Sequence, residues 1–296
     1  MYGCFDEMKI GLVTERRVLV VAGAHDEGTL EAVFAFAGEF GAGFILVGDR
    51  EKIMSISSKT GHEPKAGEVV DAGDAENCAE IAVGLIKEGA GNALMKGMID
   101  TGSLLKRVLD KNTGIRGSGT LSHFAFLEVP EYHKLIGITD GGMIPDPTLE
   151  QKAQIAVNTV DYLKKIGYDL PKIAALCASE TVNEKIRETV EAALLQEMCE
   201  AGEFGECILE GPLSFDIAVS RESADVKNFS SKISGDVDVL LMPNITTGNV
   251  LAKGLIYWAG AKMAGCILGA KIPIVLASRG ASVEEKVLSI MMSMIS

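Results

Sequence analysis

The chain has 296 residues and a formal net charge of −13 at pH 7, with 47% hydrophobic and 23% charged residues. This length allows one large domain or two smaller ones, and the apolar content is ample for a packed core. The negative charge argues against general nucleic-acid binding, which needs a basic face. It leaves room for small anionic ligands held by a few well-placed cations.

The composition favours an α/β protein, because 33 glycines and only 5% aromatic residues suit tight strand-to-helix turns. No segment offers the roughly 18 unbroken apolar residues of a membrane span. The N-terminal residues lack the basic region and apolar run of a secretory signal. Six widely spaced cysteines without a Cys-x-x-Cys pair indicate reduced, mostly buried thiols. We therefore expect a cytoplasmic protein without membrane association, disulfide framework or metal cage.

The first half of the chain alternates predicted strands and helices. A buried strand at 17–22, a helix from Thr29 to Phe40 and a strand at 44–47 make a βαβ unit. The pattern continues with a weak strand at 69–71, a helix at 76–88, a strand at 93–95 and a helix at 104–109. Gly23 and Gly28 bracket four residues as in a phosphate loop, but no Gly-Lys-Ser/Thr follows. We interpret this segment as an ordinary strand-to-helix turn of a doubly wound α/β fold.

The pattern changes near His123, where two strands at 122–128 and 135–139 are separated by a short link and predict a hairpin. A long helix at 149–166, a strand at 172–177, a helix at 183–201 and a short strand at 207–210 follow. We place a domain boundary at the hairpin. The first α/β domain then comprises residues 1–122 and 262–296, and the second comprises residues 123–261.

In residues 239–290 a buried strand, a polar turn and a helix follow one another twice. A buried strand at 239–242 leads into a polar turn at 243–249 and then a helix that carries Lys253. A second buried strand at 272–276 leads into Ser278-Arg279-Gly280 and another helix. Helix N-termini with free backbone N–H groups bind phosphate, and an arginine and a lysine are added here. We expect the two turns to meet across a groove and hold an anion.

Several segments together resemble the phosphate acetyltransferase / phosphate butyryltransferase family, and the butyryl branch more than the acetyl branch. They are Met95-Lys96-Gly97 with Thr101, Leu121-Ser122-His123, Thr139-Asp140, Asp146-Pro147, Gly211-Pro212-Leu213-Ser214-Phe215-Asp216, Pro243 with Gly248-Asn249 and Lys253, and Ser278-Arg279. The resemblance implies two α/β domains with mostly parallel sheets and an interdomain cleft, an isocitrate/isopropylmalate dehydrogenase-like architecture. It also implies a homodimer that moves an acyl group between coenzyme A and phosphate, with no metal and no bound cofactor.

The resemblance also assigns roles to individual residues. Ser278 and Arg279 match the serine–arginine pair at the reacting end, and Glu285, with Glu284 beside it, stands where the acetyl branch has an aspartate as proposed base. Further matches are Gly248-Asn249 and Asp216. The remaining candidates for substrate binding are Lys253, Lys96, Thr101, Arg107, Arg116 and Ser122.

The expected reaction needs a base for the thiol, hydrogen-bond donors for the oxyanion and a cation for the phosphate. The coenzyme A thiol must lose a proton to a carboxylate such as Glu285 or Glu284, the oxyanion needs donors such as Ser278 and Asn249, and Arg279 can hold two phosphate oxygens. Structural roles compete with several of these assignments. Glu284 and Glu285 sit where acids stabilise a helix dipole, Arg107 can be solvated, Arg116 can brace its loop, and Asp216 can be an N-cap.

Three other interpretations remain open from the sequence. The chain can be a phosphate acetyltransferase, a metal-dependent NAD(P)-linked dehydrogenase or decarboxylase on the same architecture, or a binder of acyl-CoA or acyl phosphate without turnover. The dehydrogenase needs a tight aspartate cluster for a divalent metal, and the sequence offers only the dispersed Asp100, Asp140 and Asp146.

Overall fold

The computed structural model describes residues 1–10, 12, 17–117, 119–278 and 280–295. In chain order its elements are α1 (Phe5–Ile10), β1 (Val18–Ala22), α2 (Glu27–Phe40), β2 (Gly43–Gly48), α3 (Arg50–Lys59), β3 (Val69–Asp71), α4 (Ala75–Lys87), β4 (Ala93–Lys96), α5 (Thr101–Val108), β5 (Ser122–Glu128), β6 (Ile136–Thr139), α6 (Leu149–Lys165), β7 (Lys172–Leu176), α7 (Arg187–Glu200), β8 (Ile208–Leu213), α8 (Phe215–Val219), α9 (Arg221–Val226), β9 (Val239–Leu241), α10 (Ile245–Ala259), β10 (Lys262–Leu268), β11 (Ile274–Val275) and α11 (Val283–Met294). None of these helices is long and apolar enough to cross a membrane.

The chain divides into two compact units. Unit one comprises Met8–Gly119 and Ala264–Ser296, and unit two comprises Met1–Glu7 and Thr120–Met263. Residues 1–7, which the sequence analysis assigned to the first domain, belong to unit two. Hydrogen bonds hold them there: the Phe5 N–H donates to Glu128 Oε2 at 2.7 Å, and the Leu135 N–H donates to the Tyr2 carbonyl at 3.0 Å.

Unit one has a sheet in the order β3-β2-β1-β4-β11-β10. All its neighbours are parallel except β10 and β11, which are antiparallel. The central strands are buried along their length, as strands with helices on both faces of a sheet must be. Helices α2 and α11 pack on each other, and α4 packs against β1 and α5. The predicted βαβ unit is thus confirmed.

Unit two has a sheet in the order β5-β6-β9-β7-β8. The predicted hairpin is confirmed, because β5 and β6 pair antiparallel with Phe124 opposite Thr139. The remaining pairs are parallel. Its apolar core joins Leu127, Ile138, Ala174 and Leu240, all almost fully buried. Both units are therefore α/β with mostly parallel sheets.

Some predicted boundaries were wrong. The polar turn at 243–249 ends sooner, because Asn244 caps α10 and the helix begins at Ile245. The helix expected from Asn183 begins at Arg187, since residues 183–186 form a turn in which the Ile186 N–H donates to the Asn183 carbonyl. The strand expected at 272–276 is reduced to the two residues of β11.

Four elements were not predicted: α1, α3, α9 and β10. In α3 only Ile53 and Ser57 are buried, so the sequence has little helical apolar period. In β10 the small residues Ala264 and Gly265 resemble a continuation of the preceding helix. That helix ends because Gly260 adopts a left-handed conformation with φ 68°.

Candidate functional site

In unit two, the candidate site lies at the edge of the sheet where the order of the strands reverses. From β7 the chain first moves to β8 on one side and later to β9 on the other, so the carboxyl ends of β7 and β9 form a topological switch point. A cavity of about 590 Å³ lies there. Leu176, Phe215, Val250 and Leu251 give it apolar walls, and Asn244 and Thr247 are among its polar groups.

The N-terminus of α10 lines this cavity. The Asn244 side chain caps it by accepting hydrogen bonds from the Thr247 N–H and Oγ1, both at 3.0 Å. Thr246 and Thr247, in the first turn, are exposed and line the cavity. The positive end of the helix dipole therefore lies at a largely apolar hollow, an arrangement suited to an anionic group attached to an apolar chain.

Gly248 sets how close α10 comes to β6. A Cβ built on Gly248 would stand 2.7 Å from the Gly141 Cα and 3.0 Å from Met242 Cγ. Only a glycine allows this approach of the two backbones. The sequence analysis assigned Gly248 to a substrate-binding turn. The structure places it buried in a helix, while Asn249 and Lys253 lie exposed on the same helix.

Asp140 organises the loop that follows β6. Its carboxylate is buried and accepts hydrogen bonds from the N–H groups of Gly142, Met143 and Ile144 at 2.8 to 3.1 Å. The peptide bond that precedes it is cis. His123 lies against this loop, with a buried Nδ1 that has no hydrogen-bond partner. Burial lowers the His123 pKa, although the Asp140 charge opposes this.

Asp216 lies at the carboxyl end of β8 in a charged cluster. Its Oδ2 is 2.9 Å from the Lys227 Nζ, which is also 3.0 Å from Glu180 Oε1, and the Ser214 hydroxyl donates to Glu180. The hydrogen bond from Lys227 is the largest of the causes that lower the pKa of Asp216 to about 2. The carboxylate is therefore ionised over the physiological range and already paired with a cation.

Unit one has a switch point of its own, between β1 and β4. The turns after the two strands pack backbone to backbone, because the Gly97 N–H donates to the Ala22 carbonyl and the Met98 N–H to the Gly23 carbonyl, both at 2.8 Å. A Cβ on Gly97 would overlap the Gly23 carbonyl. Lys96 Nζ donates hydrogen bonds to the Gly97 and Ile99 carbonyls at 3.0 and 3.2 Å. Its ammonium group therefore helps to hold this turn together.

Four candidate residues lie in or before the first turn of α11. Ser278 is exposed and its Oγ accepts a hydrogen bond from the Gly280 N–H at 3.3 Å. Glu285 forms a capping box: its Oε2 accepts from the Ser282 N–H at 2.7 Å, and its own N–H donates to Ser282 Oγ at 3.1 Å. Glu284 is exposed in the same first turn. Arg279 lies outside the described residues.

The other candidates in unit one have structural partners. Arg107 Nη2 lies 3.0 Å from Glu80 Oε2, which joins α5 to α4. Arg116 is exposed and its backbone bridges to Ala270. Thr101 is the first residue of α5, after the Asp100 cap.

Ser122 in unit two is fully buried. Its Oγ accepts a hydrogen bond from Asn158 Nδ2 at 3.1 Å, which fastens α6 to β5. A fully buried hydroxyl that bonds a neighbouring helix has a structural role in this unit.

Sequence reasoning did not identify the cavity wall. Phe215 is 40% exposed and Val250 is 65% exposed, although both side chains are large and apolar. Cys177, interpreted from the sequence as a core residue, lines the cavity, and burial raises its pKa to about 12. Cys266 is confirmed as a core residue. Trp258, which lies exposed beside Tyr257 at the C-terminal end of α10, was also missed.

Comparison with known proteins identifies the family. Residues 75–294 match the profile of the family described as phosphate acetyl/butaryl transferase. The chain belongs to this family. The resemblance stated from the motifs is thereby confirmed.

Individual family members agree in length and fold. A probable phosphate butyryltransferase of Bacillus subtilis is 41% identical, and the match covers 94% of this chain and 92% of that protein. A phosphate acetyltransferase of Thermotoga maritima is 38% identical over 93% of both chains. The crystal structure of a branched-chain phosphotransacylase from Enterococcus faecalis V583 superposes with a TM-score of 0.83 at 31% identity, covering 94% of this chain and 98% of that one.

The dehydrogenase-like architecture is also confirmed. A 4-hydroxythreonine-4-phosphate dehydrogenase from Klebsiella pneumoniae superposes with a TM-score of 0.58 at 13% identity, covering 94% of this chain and 98% of that one. At this identity the likeness concerns the fold alone. Among the described residues, no group of three or more histidine, cysteine or acidic side chains converges as a metal-ligand set.

Proposed function

We propose that this protein catalyses the transfer of a short-chain acyl group, butyryl or similar, between coenzyme A and inorganic phosphate. The observation that carries the proposal is the apolar cavity of about 590 Å³ beside the N-terminus of α10, in a chain of the phosphate acetyl/butyryl transferase family. Apolar walls suit an acyl chain, and a helix N-terminus suits the phosphate or developing oxyanion at its end.

The chemistry is a direct exchange at the acyl carbon. In the forward direction a phosphate oxygen attacks the thioester carbonyl, a C–O bond forms, and the C–S bond breaks to give acyl phosphate and coenzyme A. In the reverse direction the coenzyme A thiol gives up its proton and attacks the acyl phosphate. No bound cofactor takes part, and coenzyme A is a substrate.

We assign the roles as follows. The acyl chain lies among Phe215, Val250 and Leu251 of unit two. As the family resemblance implies, Asn249 and Ser278 are the hydrogen-bond donors to the carbonyl oxygen as it becomes charged. Arg279 holds the phosphate with two parallel hydrogen bonds. Glu285 takes the thiol proton through the carboxylate that also closes its capping box. The backbone N–H groups at the start of α10 complete the anion site.

The preference for butyryl over acetyl follows from burial. Each buried methylene is worth about 0.8 kcal/mol, so two more carbons gain about 1.6 kcal/mol, or roughly 15-fold. Phosphate acetyltransferase activity remains the alternative within the family.

The decisive experiment is a coupled assay with DTNB that follows phosphate-dependent release of coenzyme A. We expect turnover with acetyl-, propionyl-, butyryl- and isobutyryl-CoA, fastest with the four-carbon chains, and unaffected by EDTA. Absence of phosphate-dependent release from all four would reject the proposal. Metal-dependent reduction of NAD(P) would instead support the dehydrogenase alternative.

A second experiment separates an enzyme from a passive binder. The Arg279→Ala variant should lose on the order of 100-fold or more in rate, because the transition state loses its anion clamp. A wild-type chain that binds acyl-CoA without turnover would support the binder interpretation.

Assembly and location also belong to this proposal. We propose a cytoplasmic homodimer, as the family resemblance implies. Exposed aromatic residues at the C-terminal end of α10, Tyr257 and Trp258, offer surface for such an association. Light scattering across a dilution series checks the mass, and a single-chain mass at all concentrations would contradict the dimer.

A further inference from the structure

Two thiols of unit two lie side by side. Cys199 Sγ, in the last turn of α7, is 3.5 Å from Cys207 Sγ, in the residue before β8. Both residues are free and half-buried. A disulfide bond has an S–S distance of about 2.05 Å, so side-chain rotations that bring the sulfurs closer by about 1.5 Å would allow the bond to form.

We propose that Cys199 and Cys207 form a redox-active dithiol, which a peroxide closes to a disulfide that joins the end of α7 to the start of β8. The other cysteines offer no such pair among the described residues. Cys78 and Cys266 are fully buried, and the Cys177 thiol donates to the Glu188 carbonyl at 3.2 Å.

A small oxidant has a route to the pair. Both cysteines line a cavity of about 420 Å³, separate in its lining from the cavity beside α10. Its lining also carries three carboxylates, Glu180, Glu200 and Glu210, and one cation, Lys232, so these side chains have a net negative charge. Their charge disfavours anionic oxidants and admits neutral ones, so hydrogen peroxide is the class of reagent that fits.

The two thiols have unequal roles. Burial, and then the hydrogen bond with Cys199, raise the pKa of Cys207 to about 12, so Cys207 keeps its proton. The Cys207 S–H can donate to Cys199 Sγ, and Cys199 Sγ also lies 3.7 Å from the Cys207 carbonyl oxygen. We assign Cys199 as the attacking thiol and Cys207 as the resolving one.

The reaction proceeds in two balanced steps. The Cys199 sulfur attacks one oxygen of hydrogen peroxide, which breaks the O–O bond, and gives Cys199 sulfenic acid and one water. The Cys207 sulfur then attacks the Cys199 sulfur and displaces the hydroxyl group, which leaves as a second water with the Cys207 proton. In total, two thiols are oxidised to one disulfide and one peroxide is reduced to two waters.

The cross-link closes a short loop. Residues 201–206 are an irregular turn between α7 and β8, and Gly202 and Gly205 have left-handed φ values of 83° and 78°. Constraining this loop in the unfolded chain should raise the melting temperature, on the order of 5 °C for a loop of this length.

The test is peroxide treatment of the whole native protein, followed by alkylation and peptide mapping. The wild type should lose two of its six alkylatable thiols and about 2 Da, with peptides containing Cys199 and Cys207 joined, and dithiothreitol should restore both thiols. This readout needs no variant. In Cys207→Ser, dimedone should trap a sulfenic acid at Cys199, and Cys199→Ser should show neither adduct nor disulfide. Cys4→Ser serves as control and should behave as the wild type.

Four results would overturn the proposal, three of them in the wild type. They are retention of all six alkylatable thiols after peroxide, oxidation of Cys199 to sulfinic acid with Cys207 still free, and a disulfide that involves any other cysteine. Loss of 2 Da in the Cys199→Ser variant would count in the same way.

Discussion

Gly248 on α10 packs directly on Gly141 after β6, with 2.7 Å between the Gly141 Cα and the position of a Cβ on Gly248. The first prediction concerns this contact. Gly248→Ala should push α10 away from β6, destabilise unit two by about 1–3 kcal/mol, and reduce acyl transfer by displacing the N-terminus of the helix. Urea denaturation and the DTNB assay measure the two effects.

A matched control lies one turn and a half further along the same helix. Gly254 has no atom within 4 Å of a built Cβ. Gly254→Ala should therefore leave activity unchanged and stabilise the helix slightly, since alanine is the better helix former. Equal stability and activity in the two variants would contradict the packing argument.

The second prediction separates catalysis from capping at Glu285. Glu285→Gln keeps a side-chain acceptor for the Ser282 N–H, so the capping box and the melting temperature should persist. Without a carboxylate to take the thiol proton, the rate should fall on the order of 100-fold. Glu284→Gln is the control and should change the rate little. A Glu285→Gln variant with wild-type kcat would remove Glu285 from the mechanism.

The third prediction tests the cavity as the acyl site. Val250 lines it and is exposed enough for a larger side chain to be tolerated. Val250→Phe should fill part of the space, so the kcat/KM ratio of butyryl-CoA to acetyl-CoA should fall from roughly 15 towards 1. Val226→Phe, on exposed α9 and outside the cavity lining, should leave the ratio unchanged. An unchanged ratio in Val250→Phe would mean that the acyl chain binds elsewhere.

The fourth prediction concerns a buried ion pair in unit two. Lys134 Nζ lies 2.7 Å from Asp238 Oδ1, and both side chains are almost fully buried. Lys134→Met leaves Asp238 without its cation and should cost about 3–5 kcal/mol of unfolding free energy. Lys52→Met, which breaks an exposed pair with Asp49, should cost less than about 1 kcal/mol. Similar urea midpoints for the two variants would refute the difference.

The fifth prediction concerns acid stability. Burial raises the pKa of Asp236, but hydrogen bonds from Lys134, Lys172 and His133 outweigh it and hold the pKa well below the ordinary value of 3.8. A carboxyl whose pKa is depressed in the folded state contributes stability above the unfolded pKa and loses it as pH falls further. The wild type should therefore lose stability below about pH 4 more steeply than Asp236→Asn. Thermal melts from pH 7 to pH 3 measure this, and parallel curves would contradict it.

Much of the fold could be predicted from local patterns. The βαβ unit and the hairpin rest on periodicity and turn residues within short windows, and both are present in the structure. The end of α10 could not be read in this way, because β10 continues with small residues that suit a helix. The left-handed conformation of Gly260 ends the helix. Because many glycines can adopt that conformation, the sequence does not show which one does so.

The candidate site was less accessible to sequence reasoning. The cavity wall brings together residues from β7, α8 and α10, and only the strand order decides that these segments meet. Likewise, Asp216 was recognised as a candidate, but its partner Lys227 follows a second short helix, α9, and no local pattern indicates the pair. Glu285 was assigned two possible roles, a catalytic base and an acid that stabilises the helix dipole, and the structure shows in addition a capping box with Ser282.

Trp258 gives the chain an optical reporter of its own. It is the single tryptophan and its side chain is 93% exposed at the C-terminal end of α10. In the single chain its fluorescence should be red-shifted and accessible to dissolved quenchers such as iodide. A blue shift, or protection from quenching, would then signal that some surface had covered this end of the helix, without any label being attached.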